Sequence, residues 1–421
     1  MGLAAKPRSE ALSSLPGTGE DGAAAQPLSR RQPLSRRQSV ALAAICGIFG
    51  IAAWTLWVWV LKSEPAQDWM VFYTAARAYF DGNLPLIFNG EALTAALNQR
   101  FLSWLSSPLN LHPWVYPPTF LLLFVPFGML APAISLAVFL VSGFIVLLGV
   151  ALFYVRRGQP RWIVLFSLVL CPAVPFNVMT GQNAFFTSAI LVGGFGLIGR
   201  SPVLAGAVLG VLTFKPQMWL MVPVALVAAR QWRALGGAAA SALILALLSL
   251  IVFGPEIWRV WLGLMTGTDE AYRAWVTSGR LNGMSVFACA TWLGMPRAVA
   301  NLAQGAAIAL AAAIVYLAFR RPAPGMLQLA VLLAATMLAA PHVSTSDAVM
   351  LALAAGLFVI ASRRLRPAQL TLAAAVWISP LVNPPSVFRP GCLTPVLILL
   401  LLGALITEIR ERGAASSAPG A

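Results

Sequence analysis

The stretch SVALAAICGIFGIAAWTLWVWVL, Ser39–Leu61, contains 23 residues and no charged side chain. An α-helix rises about 1.5 Å per residue, so a helix of this length crosses the roughly 30 Å hydrocarbon core of a bilayer. No small-x-small cleavage site follows the stretch, and we interpret it as a first membrane span that stays in the mature chain. Further apolar runs recur as far as Ile406. The sequence therefore predicts an all-α polytopic membrane protein.

Composition supports this class and argues against others. The chain is 59% hydrophobic and only 10% charged, with a mean hydropathy of +0.83. Its formal net charge of +15 would suggest nucleic-acid binding in a soluble protein, but here we attribute it to arginine-rich cytoplasmic loops. The four cysteines are scattered without CxxC or Cys/His spacing, so we expect small hydrophobic side chains and no disulfide.

The chain divides into a tail and a membrane domain. Residues 1–38 carry a tandem PLSRRQ repeat among Ala, Ser, Pro, Gly and Arg, and such a segment buries too little apolar surface to fold. We expect a disordered basic cytoplasmic tail there, a transmembrane domain over 39–408, and a short cytoplasmic tail over 409–421. Within the domain, two sizeable outer loops are expected at about 62–117 and 254–296.

We expect about twelve membrane spans, with both termini in the cytoplasm. This orientation places 19 of the 28 basic residues, but only 5 of the 13 acidic residues, on the cytoplasmic side. The run 118–155 is too long for one straight span and contains Pro126 and Pro132, so we expect a broken or re-entrant helix followed by a full one. The expected spans are 39–61, 118–155, 162–176, 183–199, 201–214, 217–229, 235–253, 297–319, 325–340, 346–361, 368–381 and 394–407.

The first outer loop begins with an acidic residue placed directly after the first span. Asp68 opens a segment that continues as Trp69-Met-Val-Phe-Tyr73 and reaches Arg77. The apolar spacing predicts a helix over 69–80 that lies in the membrane interface, and a second helix is expected over 91–105. A simpler interpretation makes Asp68 an ordinary helix cap within an aromatic belt.

The same orientation brings other polar residues to the outer side. Gln182 and Asn183 lie between two apolar runs, Lys215 lies between two others, and His342 follows a late run. Amides and ionisable groups at membrane depth are costly unless they line a polar cavity, so they mark a candidate site. Each also has a local alternative, namely a turn at 182–183, a snorkelling lysine, or a histidine at a helix end.

Five ordered motifs between about residues 60 and 350 carry a resemblance to a known family. They are Asp68-x4-Tyr73-x2-Ala76 with Gly82, Tyr116-Pro117-Pro118 before Pro126, Gly181-Gln182-Asn183, Gly206-x8-Lys215-Pro216, and His342-x4-Asp347. The set resembles the polyprenol-phosphate-mannose-dependent alpha-mannosyltransferases of glycosyltransferase family 87, in the GT-C superfamily. The arginine-repeat tail is not part of that pattern.

The resemblance implies an integral membrane enzyme, in a plasma or bacterial inner membrane, whose site opens outward. It implies that Asp68 is the catalytic base and that His342 belongs to the active site. The expected partners are a polyprenyl-phosphate-sugar donor, a glycolipid or polysaccharide acceptor and the lipid bilayer, with no nucleic acid. The residues expected to bind the donor phosphate or substrate are Lys215, Arg280, Arg77, Tyr73, Tyr116, Gln182 and Asn183.

The expected reaction needs one base and some positive charge. Asp68 would take the proton of an acceptor hydroxyl as that oxygen attacks the anomeric carbon with inversion, and a phosphate leaves as a stable anion. The sequence offers no Asp-x-Asp or His-rich cluster, so we expect no metal and no other cofactor. The alternative class is a multi-span transporter or a flippase of lipid-linked sugars. The acceptor and the sugar stay open.

Overall fold

The computed structural model describes residues 36–62, 65–155, 159–266, 283–323, 325–363, 365–381 and 392–417. The predicted basic tail up to residue 35 lies outside these ranges. Every regular element within them is helical, which confirms the all-α class. The helices of the first half are α1 (Arg36–Leu61), α2 (Gln67–Phe80), α3 (Gly90–Arg100), α4 (Pro118–Gly128), α5 (Pro132–Tyr154), α6 (Arg161–Val169), α7 (Ala173–Thr180), α8 (Ala184–Leu197) and α9 (Pro202–Val211).

The second half continues the count over the described residues. Its helices are α10 (Pro216–Trp219), α11 (Met221–Ala228), α12 (Trp232–Phe253), α13 (Pro255–Thr266), α14 (Val286–Trp292), α15 (Arg297–Phe319), α16 (Gly325–Ala339), α17 (Val349–Ala361), α18 (Pro367–Ile378) and α19 (Leu393–Ser417). Short 3₁₀ turns cover Leu84–Phe88, Leu212–Phe214, Thr345–Ala348 and Ser379–Leu381.

Within the described ranges, five helices, α1, α5, α12, α15 and α19, are long and apolar enough to cross a membrane. Helices α6 and α7 together form a sixth candidate, bent by 47° at residues 170–172. Pro172 explains the break, since proline has no backbone N–H to continue the α6 ladder. The described part of the chain thus holds five or six helices with the length and composition of full membrane spans, which supports an integral membrane protein.

Seven further apolar stretches have only 10–17 residues. They have the composition of spans without the length to cross alone, so the count of twelve stays a prediction. One part of that scheme is confirmed, because 118–155 folds as the short α4 followed by the full-length α5.

Helices α16 and α17 form the centre of the molecule. From Leu329 to Ala340 and from Val349 to Ala361 their residues are buried without interruption. A helix that is apolar on every side is expected at the core of a bundle, and both helices are. The loop between them carries His342 and Asp347, so these two residues are held by the most enclosed part of the fold.

Helix α2 begins close to the predicted position and is enclosed by other helices. It packs against α3 and α4, and most of its residues are buried in protein, while its place in the membrane interface stays a prediction. Small side chains allow this approach: Ala76 lies so close to Gly128 of α4 that a Cβ on Gly128 would come within 2.6 Å of the Ala76 Cβ. The predicted second loop helix appears as α3 and ends at Arg100.

The expectation of no disulfide was wrong. Cys289 of α14 and Cys392, just before α19, form a disulfide with their Cα atoms 4.7 Å apart. Helices α14 and α19 both pack against α15, which brings two cysteines separated by 103 residues together. Local spacing carries no signal for such a pair. Cys46 and Cys171 are free and buried, as expected of small hydrophobic side chains.

Candidate active site

Five chain segments meet where short helices end. They are the start of α2, the residues just before α4, the turn between α7 and α8, the junction before α10, and the loop between α16 and α17. Together they contribute six polar side chains to one cluster, two of them from the turn between α7 and α8: Asp68, Tyr116, Gln182, Asn183, Lys215 and Asp347. We refer to these six residues as the polar cluster.

Gly181 fixes the start of α2 against the α7–α8 turn. Its φ of +71° lies in the left-handed region, and an added Cβ would come within 2.4 Å of the Trp69 Cβ. In addition, the Ala66 N–H donates to the carbonyl of Met179. These two contacts place Asp68, the neighbour of Trp69, beside Gln182.

Lys215 provides a cation within the cluster. Pro216 occupies the first position of α10, so the chain turns at Lys215 after the 3₁₀ turn that ends at Phe214. The Lys215 Nζ donates to Asp347 Oδ1 at 2.6 Å and to Asn183 Oδ1 at 3.2 Å. The side chains of the ion pair are only 5% and 2% exposed, so solvent screens this contact very little.

Asp347 was not among the predicted site residues, although it belongs to the His342-x4-Asp347 motif. Its second oxygen, Oδ2, accepts the Ser344 N–H at 3.1 Å in a capping box that begins the turn before α17. The carboxylate is therefore fixed on both sides. A buried acid beside an apolar run was the signal that sequence reasoning could have used.

The Asp68 carboxyl group is partly accessible, yet protein encloses most of it. This burial raises its pKa to about 7, since a low-dielectric environment disfavours the charged form. A hydrogen bond from Gln182 and the charge of Lys215 oppose the shift, whereas the charge of Asp347 adds to it. Asp68 is thus placed to exchange a proton near neutral pH.

Tyr116 closes the cluster on the α4 side. Its hydroxyl donates to Gln182 Oε1 at 3.2 Å, and its ring lies 4.4 Å from that of Phe120. Burial raises the pKa of Tyr116, and the charge of Asp68 adds to the effect, so the hydroxyl stays a neutral donor. The Gln182 Oε1 also accepts the Asn183 N–H at 3.1 Å, which leaves the Gln182 amine to face Asp68.

The other predicted site residues have different surroundings. The Tyr73 hydroxyl donates to the Leu130 carbonyl at 2.9 Å, and Arg77 pairs with Asp81 at 3.3 Å. His342 is partly buried in the loop that holds Asp347, and Arg280 lies outside the described residues. Within the described part of the chain, no three His, Cys, Asp or Glu side chains are grouped as a metal site would need.

Comparison with models of known protein families identifies the family of this chain. The model of glycosyltransferase family 87 matches residues 114–341, which is 228 of 421 residues and just over half of the chain. The chain belongs to glycosyltransferase family 87. Neither a curated protein nor a solved structure gives a match.

Family membership confirms the resemblance seen in the sequence motifs and makes the chain a membrane glycosyltransferase. The matched range includes the 181–183 turn and Lys215, whereas Asp68, His342 and Asp347 lie outside it. For Asp68 and Asp347, the structure supplies an independent link, because both lie in the polar cluster with residues of the matched range.

Proposed function

We propose that the enzyme transfers a hexosyl residue, mannosyl by family resemblance, from a polyprenyl-phosphate sugar to a glycolipid or polysaccharide hydroxyl. The observation that carries the proposal is the polar cluster, in which a carboxyl group with a pKa of about 7 lies among polar groups that are mostly buried. A general base is most effective when its pKa lies near the working pH. Asp68 meets that condition.

In the proposed reaction, Asp68 accepts the proton of the acceptor hydroxyl. The acceptor oxygen forms a bond to the anomeric carbon from the face opposite the phosphate, and the bond from that carbon to the phosphate oxygen breaks. The electron pair leaves with the polyprenyl phosphate, so the anomeric configuration inverts. No strong acid is needed, since the phosphate departs as a stable anion.

The position of the cluster suits a donor anchored in lipid. Helices α8, α16 and α17, which each have one end at the cluster, contain 14, 15 and 13 residues. Such helices are about 20–23 Å long, less than the roughly 30 Å of a bilayer core. Their other ends lie next to Arg200, Arg321 and Arg363, on the side proposed to be cytoplasmic.

A site reached by such short helices lies below the opposite membrane surface. A polyprenyl chain can stay between the spans while its phosphate and sugar enter this recess, and an acceptor can enter from outside. This arrangement supports an outward-facing site in a plasma membrane with both termini in the cytoplasm.

Sugar transfer tests the proposal directly. Membranes that contain the protein are supplied with radiolabelled polyprenyl-phosphate mannose, and label in extractable glycolipid and polysaccharide is measured. Asp68→Asn keeps the size of the side chain but removes the base, so turnover should fall by roughly 10²–10⁴-fold. The matched control is Asp81→Asn, which alters an exposed carboxylate of the same helix region and should keep turnover within a few-fold of the wild type.

Two results would contradict the proposal. Near-normal transfer by Asp68→Asn would exclude Asp68 as the catalytic base. Movement of lipid-linked sugar across the membrane, with no new glycosidic bond, would instead identify a flippase.

A further inference from the structure

The contacts of Lys215 differ from those of a lysine whose ammonium group is free to bind a phosphate. A lysine ammonium has three N–H donors. Two of them already bind oxygens, those of Asp347 and Asn183, and the side chain is almost completely enclosed. The positive charge is therefore balanced within the protein before any substrate binds.

The 182–183 turn connects Asp68 to this pair, because Gln182 binds Asp68 and the adjacent Asn183 binds Lys215 at 3.2 Å. Lys215 attracts its ionised form, and Asp347 repels it. Of the other elements packed around Asp68, the segment before α4 contributes the neutral Tyr116 hydroxyl and the α7–α8 turn contributes the neutral Gln182 amide. With Asp68 ionised, the two carboxylates and one ammonium sum to a charge of −1, which does not favour an incoming phosphate.

We propose that Lys215 and Asp347, steadied by Asn183, form a positioning pair in which Lys215 favours the ionised form of Asp68 and Asp347 fixes Lys215 in place, and that Lys215 does not bind the donor phosphate. This inference rests on the proposed function, because it assigns a task within that reaction. The cation for the phosphate must then come from another residue.

The two members of the pair should shift the pH profile in opposite directions. Asp68 must be deprotonated to act, so activity falls as the pH drops through its pKa, near 7 in the wild type. Lys215→Met removes a charge that lowers this pKa, so the acidic limb of kcat/KM should move to higher pH. Asp347→Asn removes a charge that raises the pKa, so the limb should move to lower pH. A neighbouring unit charge typically shifts a carboxyl pKa by about one unit or more.

The control is Lys62→Met, which removes an exposed lysine near the start of α2 and should leave the limb unmoved. Each single variant leaves a buried charge without its partner and can fail to accumulate. The double variant Lys215→Met/Asp347→Asn avoids that difficulty. The acidic limb of its kcat/KM profile should move to higher pH, but by less than in Lys215→Met. The reason is that Lys215 lowers the pKa of Asp68 by more than Asp347 raises it.

The outcomes separate the inference from the proposed function. An acidic limb that stays in place while the KM for the donor rises many-fold in Lys215→Met would identify Lys215 as a phosphate ligand and overturn the inference alone. A limb that moves to lower pH in the double variant, with wild-type KM for the donor, would also overturn it. A wild-type enzyme that transfers no sugar from the lipid phosphate would overturn the proposed function itself.

Discussion

At the scale of single residues, the Gln182 amide connects three parts of the site. Its oxygen accepts hydrogen bonds from the Tyr116 hydroxyl and the Asn183 backbone, which leaves its amine to donate to Asp68. A donor that binds the ionised carboxylate lowers its pKa. Gln182 therefore partly offsets the effect of burial on Asp68.

Replacing this amide gives a prediction with a defined sign. In Gln182→Leu the pKa of Asp68 should rise above 7, so the acidic limb of the pH–rate profile should move to higher pH. Activity should be lost first below neutral pH and should recover towards the wild-type value in alkaline buffer. The control Tyr116→Phe keeps the ring and the Gln182–Asp68 contact, and its limb should shift less. A Gln182→Leu profile that superimposes on the wild type would mean that another group stabilises the carboxylate.

Sequence reasoning could select many of these residues because polar groups are rare and costly between apolar runs. Asp68, Gln182 and Lys215 were selected in that way, and the structure brings them together. The partner of Tyr73 could not be predicted, since the Leu130 carbonyl is 57 positions away and its approach depends on how α2 packs. The Arg77–Asp81 pair, by contrast, follows from helical spacing of four residues. The Lys215–Asp347 contact joins residues 132 positions apart, and only the folded bundle sets that distance.

At the scale of elements, the pairing of α9 with α12 positions Lys215. Three glycines line their crossing, and an added Cβ would meet backbone on the facing helix in each case. At Gly206 it would come within 1.8 Å of the Ala234 carbonyl oxygen, and at Gly210 within 2.3 Å of that of Ala238. At Gly237 of α12, an added Cβ would come within 2.3 Å of the Val203 carbonyl oxygen. Small residues of this kind let membrane helices approach closely.

The crossing predicts the effect of a single methyl group. Gly206→Ala must push the two backbones apart, and overpacking of this kind costs about 1–3 kcal/mol. The thermal unfolding midpoint in detergent should fall, and sugar transfer should fall as well, because α9 leads directly into the turn that places Lys215. Gly236→Ala is the matched control on α12, since no atom lies within 4 Å of the added Cβ. Equal midpoints for the two variants would show that the helices separate without cost.

The sequence indicated both helices as spans from their apolar length, but it could not show that they pack together. The sequence motif that contains Lys215 also contains Gly206, but the sequence alone does not explain why a glycine is needed there. The reason is steric and comes from α12, whose contact with α9 is not encoded in local periodicity. The packing of α2 against α4 likewise could not be predicted from local periodicity.

At the scale of the whole molecule, the disulfide reports on which side of the membrane the site lies. Disulfides persist in oxidising compartments and are rare in the cytosol, so Cys289–Cys392 supports an extracytoplasmic position for the start of α19 and for α14. The Met284 N–H donates to the Val343 carbonyl at 3.1 Å, next to His342. The segment before α14 therefore contacts the loop that carries Asp347. We infer that the disulfide and the polar cluster lie on the same side of the membrane.

This relation predicts the outcome of labelling in intact cells. In a Cys46→Ser/Cys171→Ser background, only Cys289 and Cys392 remain, and the native protein should not react with a membrane-impermeant maleimide. After treatment with an impermeant phosphine reductant, both cysteines should react without permeabilisation of the cells. A Cys289→Ser variant in the same background leaves Cys392 unpaired and should be labelled without reduction. If labelling instead requires permeabilised cells in both cases, the site faces the cytoplasm and the donor must be supplied from that side.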